Sequence, residues 1–445
     1  MNRAKLLERA GATTRFGRRS FCAALASASG ASALGRTPYG GVLRMVVPWG
    51  LERVDPHAID DPIAGLIGPA IADPLYALDS LGRPYPALAA ELPKRTTRGI
   101  ELRLRAGLVT ARGHALDAVD VVASITRAQR RGAPLPEARA IRGSDRLGLV
   151  VAGSSTDQVL EALVSPLAAV LPRHFSPVSP DASGAFLVEL SRGQLILRRN
   201  QTAARGPAFL DAIEIRRVDD LAEALRAFES GAVDLGWLGS GLHRARAGAV
   251  TFRGLGYGWA VLRTGKRAGT WAAPGVAQRL LDGIDPERLR HLGLENLVPS
   301  MPDPARWGGG NVTLVVADDA PQLILIARAL AALLRRPGHE IEVVPSPRAE
   351  LTERRQSRDY ALMVDFVRSL GAARDSVEET FLIAENPALA RHPSRRFGND
   401  ARAVCRTLTL GAVGELWVSG AHDAAFQRLS GWQLGNVFRR ALPAG

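Results

Sequence analysis

Two stretches of this chain carry the same order of signals, strand then helix then strand, and that order constrains the fold more than anything else in the sequence. In residues 206–238, Ile213 and Ile215 alternate as in a strand, Asp219 and Asp220 offer a helix start, and Leu221, Leu225 and Phe228 fall on one helical face. Gly231 is placed to stop that helix, and Val233, Leu235 and Trp237 form the next strand. In residues 311–364, Val312, Leu314 and Val316 alternate, Pro321 stands near a helix start, and Leu323, Ile324, Ala327, Leu330 and Leu334 supply the apolar face. Pro337 and Gly338 end it, Ile341 and Val343 return as a strand, a short helix spans 348–355, and 360–364 is a further strand. A strand–helix–strand unit implies a right-handed crossover and a parallel strand pair. Two such units, separated by about 70 residues of less regular chain, predict two α/β lobes.

Between the first strand and these units lies a segment of different character. Ile100, Leu102 and Leu104 alternate with Glu101, Arg103 and Arg105, a half-buried strand on a sheet with one wet face. Gly107 and Gly113 punctuate a returning loop, and Asp117 then caps a helix, with Asp120 near the positive end of its dipole. Ala118, Val121, Val122, Ile125 and Ala128 form its buried stripe. Upstream, residues 42–47 alternate in a mostly apolar strand, followed by a loop rich in Asp and Pro and a helix expected to end near 76–79.

At 445 residues the chain is long enough for two or three units with substantial cores. Its net charge of +13 is no sign of nucleic-acid binding. Only Lys5, Lys94 and Lys266 are lysine, and the arginine pairs (130–131, 335–336, 354–355, 395–396, 439–440) are scattered rather than gathered on one element. No uninterrupted apolar run is long enough to span a membrane. No two of the eight histidines lie within 29 residues, so a local metal motif is absent. The chain also lacks G-x-S-x-G and S-x-x-K, which weighs against serine hydrolases, and no cofactor is implied. The stretch "GLGYGW" lacks nucleotide-loop spacing, and its glycines suit a hinge.

The N-terminus has the layout of an export signal. Six basic residues and a single acid stand in residues 1–35, followed by a mildly apolar run from Phe21 to Leu34 and small-residue sites such as Ala31-Ser32-Ala33. Arg18-Arg19-Ser20-Phe21 resembles the twin-arginine signal, which carries folded proteins across a membrane. Cys22 lies inside this segment, so a cleaved chain keeps only Cys405 and forms no internal disulfide.

Several stretches, in order, carry a likeness to one family. "GGVLRMVVPWGLERVDPH" resembles an opening strand with its L-D-P-H loop, with Val54-Asp55-Pro56-His57 in that place. "ADPLYALDSLGRPYPALAAELP" resembles E-P-L-x-x-x-D-x-x-G-x-x-x-P-x-L-A, and "LRLRAGLVTARGHALDAVDVVASI" resembles L-R-x-G followed by G-x-x-L-x-A-x-D-V-x-x-S. "ASGAFLVELSRGQLILRRN", "GPAFLDAIEIRRVDDLAEALRAFESGAVDLGW" and "VAQRLLDGIDPERL" continue the series. Across residues 40–365 the chain thus resembles the extracytoplasmic solute-binding proteins of the peptide/nickel class, solute-binding protein family 5, which serve ATP-binding-cassette importers.

The resemblance implies an α/β fold of the two-lobed periplasmic-binding-protein type (type II-like), with an extra small lobe and discontinuous lobes joined by a hinge. The first lobe would comprise 36–80, 176–254 and a return at 406–445; the small lobe, 81–175; the second lobe, 255–405. It further implies a non-enzymatic receptor, exported to the periplasm and monomeric, that holds an oligopeptide or similar solute between its lobes and delivers it to a membrane permease. Two other readings stand beside it: an exported enzyme with an interlobe active site, for which no motif speaks, and a degenerate or sensory binding protein without a transport role. The chain departs from the family where W-x-x-D-Y-P-D-P is common and "DFVRSLGAARDSVEE" stands instead. Asp365 and Arg368, just beyond a strand where α/β ligand sites tend to lie, are candidate ligand contacts. Trp49, Trp237, Tyr257 and Trp259, at strand ends or in the crossover, are candidate cleft aromatics.

Overall fold

The opening strand, Val42–Val47, lies inside the largest sheet of the computed structural model. Leu43, Met45, Val46 and Val47 are all buried, so this strand has apolar partners on both faces, as parallel strands in α/β folds do. It runs parallel to Ala212–Arg217 on one side and to Leu235–Trp237 on the other. The two outer strands of the first sequence unit are therefore parallel but not paired with each other, because the opening strand is inserted between them. The connecting helix, Leu221–Glu229, is capped by Asp220, whose carboxylate accepts from the N–H of Ala222 at 2.9 Å. Gly231 ends it with φ of 78°, a conformation that favours glycine. An antiparallel hairpin, Phe186–Ser191 with Gln194–Arg199, extends one edge, and Leu416–Ser419 with Ala249–Phe252 the other, giving seven strands.

The structure describes residues 39–237 (except 80, 132, 134, 142–144 and 154), 249–252, 258–272 and 310–368. It also describes the C-terminal pieces 407–413, 416–419, 422–423, 427–428, 431–432, 434 and 438–439. These belong to one compact unit, Tyr39–Gly445. The expected export signal, Tyr257, Cys405 and the segment 276–289 lie outside the described residues. Among the described residues, no helix is long and apolar enough to cross a membrane.

The helix after the opening strand is Pro62–Ile71, shorter than the sequence suggests. It stops because Ala72 is extended and Asp73 precedes Pro74, whose ring disfavours helical geometry in the residue before it. Residues 76–78, expected at the helix end, form a short strand paired with Pro84–Pro86.

A separate four-stranded antiparallel sheet is built from Lys94–Thr96, Gly99–Arg103, Gly148–Val151 and Ala138–Ala140. Ile100, Leu102 and Leu104 face its core, as the alternation predicts. The helix Ala118–Arg130 covers that face, and its start is a reciprocal capping box. The Asp117 carboxylate accepts from the N–H groups of Val119 and Asp120, and the Asp120 carboxylate accepts from the N–H of Asp117 at 3.0 Å. Val122 is only half-buried, and Ser124 takes its place in the stripe. The Ser124 hydroxyl accepts from the N–H of Leu171 at 2.8 Å and has the Asp120 carbonyl at 2.7 Å and the Leu171 carbonyl at 2.9 Å as acceptors for its proton, so a polar group is buried with its partners supplied. This unit has its own apolar cluster.

The second sequence unit forms a five-stranded sheet. Val312–Ala317 runs parallel to Ile341–Ser346 in the register Val312↔Ile341, and to Leu362–Arg368 on its other side. The helix Pro321–Leu334 begins on its proline and buries Leu323, Ile326, Ala327, Leu330 and Leu334, with Ile324 only half-buried. Gly258–Thr264 and Thr407–Val413 complete the sheet. The return to the first sheet, expected from 406, thus falls one strand later. Thr407–Val413 still pairs with Gly258–Thr264, and Leu416–Ser419 is the segment that rejoins the seven-stranded sheet.

Candidate functional site

The functional candidates converge where the loop leaving the opening strand meets the end of Leu362–Arg368. Asp55, His57, Asp60 and Asp61 all lie on that loop, downstream of the carboxyl end of a parallel strand, where α/β proteins place their ligand sites. Asp61 caps the helix Pro62–Ile71 by accepting from the N–H of Ile63 at 3.0 Å. Burial raises its pKa, against the opposing pull of Arg348.

Asp55 is clamped from the small sheet's helix. Arg127 reaches it with both terminal nitrogens at 2.8 Å, and Arg131 stands at 2.7 Å. Burial works to raise its pKa, but the two guanidinium groups more than offset this and hold the carboxyl below its ordinary value. His57, 2% exposed, donates from Nε2 to the Ala169 carbonyl at 2.8 Å and receives Arg127 on Nδ1 at 3.0 Å. Burial pushes its pKa down to about 4, aided by the charge of Arg127, so the ring is neutral at physiological pH.

The five-stranded sheet answers with arginines. Arg368, 1% exposed, donates from its side chain to the Pro56 carbonyl at 2.5 Å and from its backbone to the Ile59 carbonyl at 2.7 Å. Burial lowers its pKa to about 10, against Asp61 and Asp55. A Cβ on Gly68 would stand 3.1 Å from an Arg368 nitrogen, so the guanidinium lies directly on the helix Pro62–Ile71. Asp365 is held by Arg263 at 3.0 Å and by Arg355 at 2.9 Å. Arg355 also reaches Asp60 at 2.8 Å, and Arg348 bridges Asp319 at 2.8 Å and the Asp60 carbonyl at 2.9 Å. Burial opposes ionisation of Asp60, yet Arg355 and Arg348 keep its carboxyl well below the usual range. Arg348 and Arg355 stand seven residues apart on the helix Arg348–Ser357, two turns, which brings both to the same face.

Of the sequence candidates, the structure brings Trp49, Asp365 and Arg368 to this junction. Trp49 is 1% exposed and packs on Phe366 with ring centroids 6.3 Å apart. It lies in an apolar core that runs unbroken from the seven-stranded to the five-stranded sheet. Trp237 ends the strand Leu235–Trp237, opposite Leu416, and Trp259 lies in Gly258–Thr264, opposite Val367. Asp55, Asp60, Asp61, Arg127, Arg348 and Arg355 were not singled out from the sequence. The signal available for them was the density of acids in "VDPHAIDDP" and the seven-residue spacing of Arg348 and Arg355.

The sequence matches no family model and no curated protein. The fold matches solved structures over nearly the whole chain. The pheromone receptor PrgZ, in a structure of its mode of peptide binding, aligns with 90% of this chain and 99% of its own, at TM-score 0.70 and 14% identity. OppA of Listeria monocytogenes bound to peptide aligns with 90% and 99%, at TM-score 0.68 and 15% identity. NikA from Staphylococcus aureus in complex with Ni(L-His)2 aligns with 90% and 100%, at TM-score 0.66 and 14% identity. The chain therefore has the two-lobed α/β fold of the peptide/nickel class of extracytoplasmic solute-binding proteins. At these identities the likeness is one of fold.

Proposed function

We propose that this chain is the solute-binding component of an ATP-binding-cassette importer, capturing an oligopeptide or similar amide-bearing solute between its two lobes and handing it to a membrane permease. One observation carries the reading: the fold is that of binding proteins along nine-tenths of this chain and essentially all of theirs. In this reading the protein is a monomer that transforms nothing, and residues 1–35 export it to the periplasm by the twin-arginine route. The first lobe is 36–80 with 176–254 and the C-terminal return, the small lobe is 81–175, and the second lobe begins at 255.

Closure follows from the ligand touching both lobes and so binding the closed arrangement better than the open one. In this reading Trp49, Trp237, Tyr257 and Trp259 are the candidates for stacking on the solute and Asp365 and Arg368 for polar contact; Trp49, Asp365 and Arg368 are buried here, so a solute reaches them only when the lobes part. Asp365 is held by Arg263 and Arg355, and Arg368 by the Pro56 carbonyl, so their geometry is fixed before a solute arrives. The test is to denature the purified full-length protein and identify any released molecule by mass spectrometry. A peptide or other amide-bearing solute in a 1:1 ratio supports the reading. Conversion of candidate solutes by the protein alone contradicts it.

A further inference from the structure

We propose that His114, His174 and Asp181 form a site for one divalent transition-metal ion of the zinc type, clipping the loop ahead of the small sheet's helix to the segment that leads into the large sheet. The ligand atoms of the three side chains all lie within 4.8 Å of one another, and His114 Nδ1 is 2.8 Å from an Asp181 oxygen. The two imidazole rings meet edge to face with centroids 4.5 Å apart. Two imidazoles and one carboxylate are the donor set that zinc and its neighbours in the first transition row accept. A tetrahedral ion with bonds of about 2.0–2.1 Å spaces its ligand atoms about 3.4 Å apart, so the cluster needs only small side-chain rotations to close around it.

The surroundings are those of a built site. Asp181 is 5% exposed, and its carboxylate is oriented by the Thr110 hydroxyl at 2.7 Å and the Arg112 N–H at 3.1 Å. Such outer partners fix a ligand's direction. The backbones that carry the ligands are fixed as well. Thr110 donates its N–H to the His114 carbonyl at 2.8 Å, Ala111 donates to the Ala182 carbonyl at 2.9 Å, and Arg112 reaches the Ser179 hydroxyl at 2.9 Å. Both histidines are exposed, so an ion has a path in and keeps a coordination position open to water. On binding, the His114 ring takes the tautomer with its proton on Nε2, which frees Nδ1 to face the cation beside the Asp181 carboxylate. The sequence conceals this site because its ligands are 60 and 7 residues apart and form no local motif.

The test titrates zinc chloride into untagged, chelator-treated full-length protein, in competition with a chromophoric chelator. The His114→Ala, His174→Ala and His339→Ala variants are titrated in parallel. One ion per chain is expected, with affinity lowered tenfold or more by each of the first two substitutions and unchanged by the third. His174→Ala leaves the hydrogen bonds among Thr110, His114 and Asp181 in place, so a merely structural cluster would not register its loss. Copper(II) substituted for zinc should give a spin-resonance spectrum with two coordinating nitrogens, reduced to one in His174→Ala. Absence of 1:1 binding, or a change below tenfold in either ligand variant, overturns the proposal.

Discussion

His57 illustrates how a single residue ties this fold to pH. Its unperturbed pKa is near 6.5, and burial between the Ala169 carbonyl and Arg127 brings it to about 4 in the folded chain. The sign follows directly. Between these values the unfolded chain binds the proton and the folded one does not, so stability rises with pH. The contribution is complete above about pH 6.5, is lost as pH falls toward 4, and amounts to about 3 kcal/mol. Urea unfolding across this window should show the wild type losing about that much more than His57→Gln. Equal losses in the two proteins would contradict the assignment of a buried neutral ring. His57 was visible in the sequence only as part of a loop resembling L-D-P-H; nothing there said that Arg127, 70 residues on, would occupy its second nitrogen. Asp365 and Arg368, expected just beyond a strand ending at 364, lie within the strand Leu362–Arg368, and their ion network was not legible because their partners Arg263 and Pro56 come from other segments.

At the scale of elements, periodicity read well and termini read poorly. The alternation of Ile100, Leu102 and Leu104 and the helical spacing of Val121, Ile125 and Ala128 named residues that are all buried. Ser124 escaped because a hydroxyl in the stripe is tolerated where the Asp120 carbonyl one turn back accepts its proton and the Leu171 N–H fills its acceptor, and the second of these is a tertiary fact. The helix predicted to run to 76–79 ends at Ile71, where the Ala72-Asp73-Pro74 sequence argues for a stop once it is weighed. Gly184 belongs to this scale as well. It donates its N–H to the Ile71 carbonyl at 2.9 Å, and a Cβ there would stand 2.3 Å from the Ile71 carbonyl carbon and 2.7 Å from the Ala70 oxygen. Since the obstacle is backbone, it yields only by separating the helix end from the seven-stranded sheet. Gly184→Ala should therefore cost about 1–3 kcal/mol, the usual range for overpacking, read as a lower denaturant midpoint with an unchanged slope. An unaltered midpoint would mean that the close approach is absent in solution.

For the whole molecule, the two strand–helix–strand units predicted two α/β lobes, and the fold has them. What the units did not reveal is how strands from distant segments interleave. The opening strand inserts between Ala212–Arg217 and Leu235–Trp237, and Thr407–Val413 joins the five-stranded sheet before the chain crosses back. Pairing between segments hundreds of residues apart leaves no periodic trace, so it came into view only through the resemblance and then the structure. The junction assembled this way sets the acidic loop against the arginine-bearing sheet end, and under the proposed function it is the place for the lobes to close. The most direct test is small-angle X-ray scattering of the full-length protein with and without the solute identified by mass spectrometry. Closure predicts a smaller radius of gyration at saturation and no chemical change in the solute. A radius that stays constant when the solute is fully bound, or a solute recovered altered, would contradict the account.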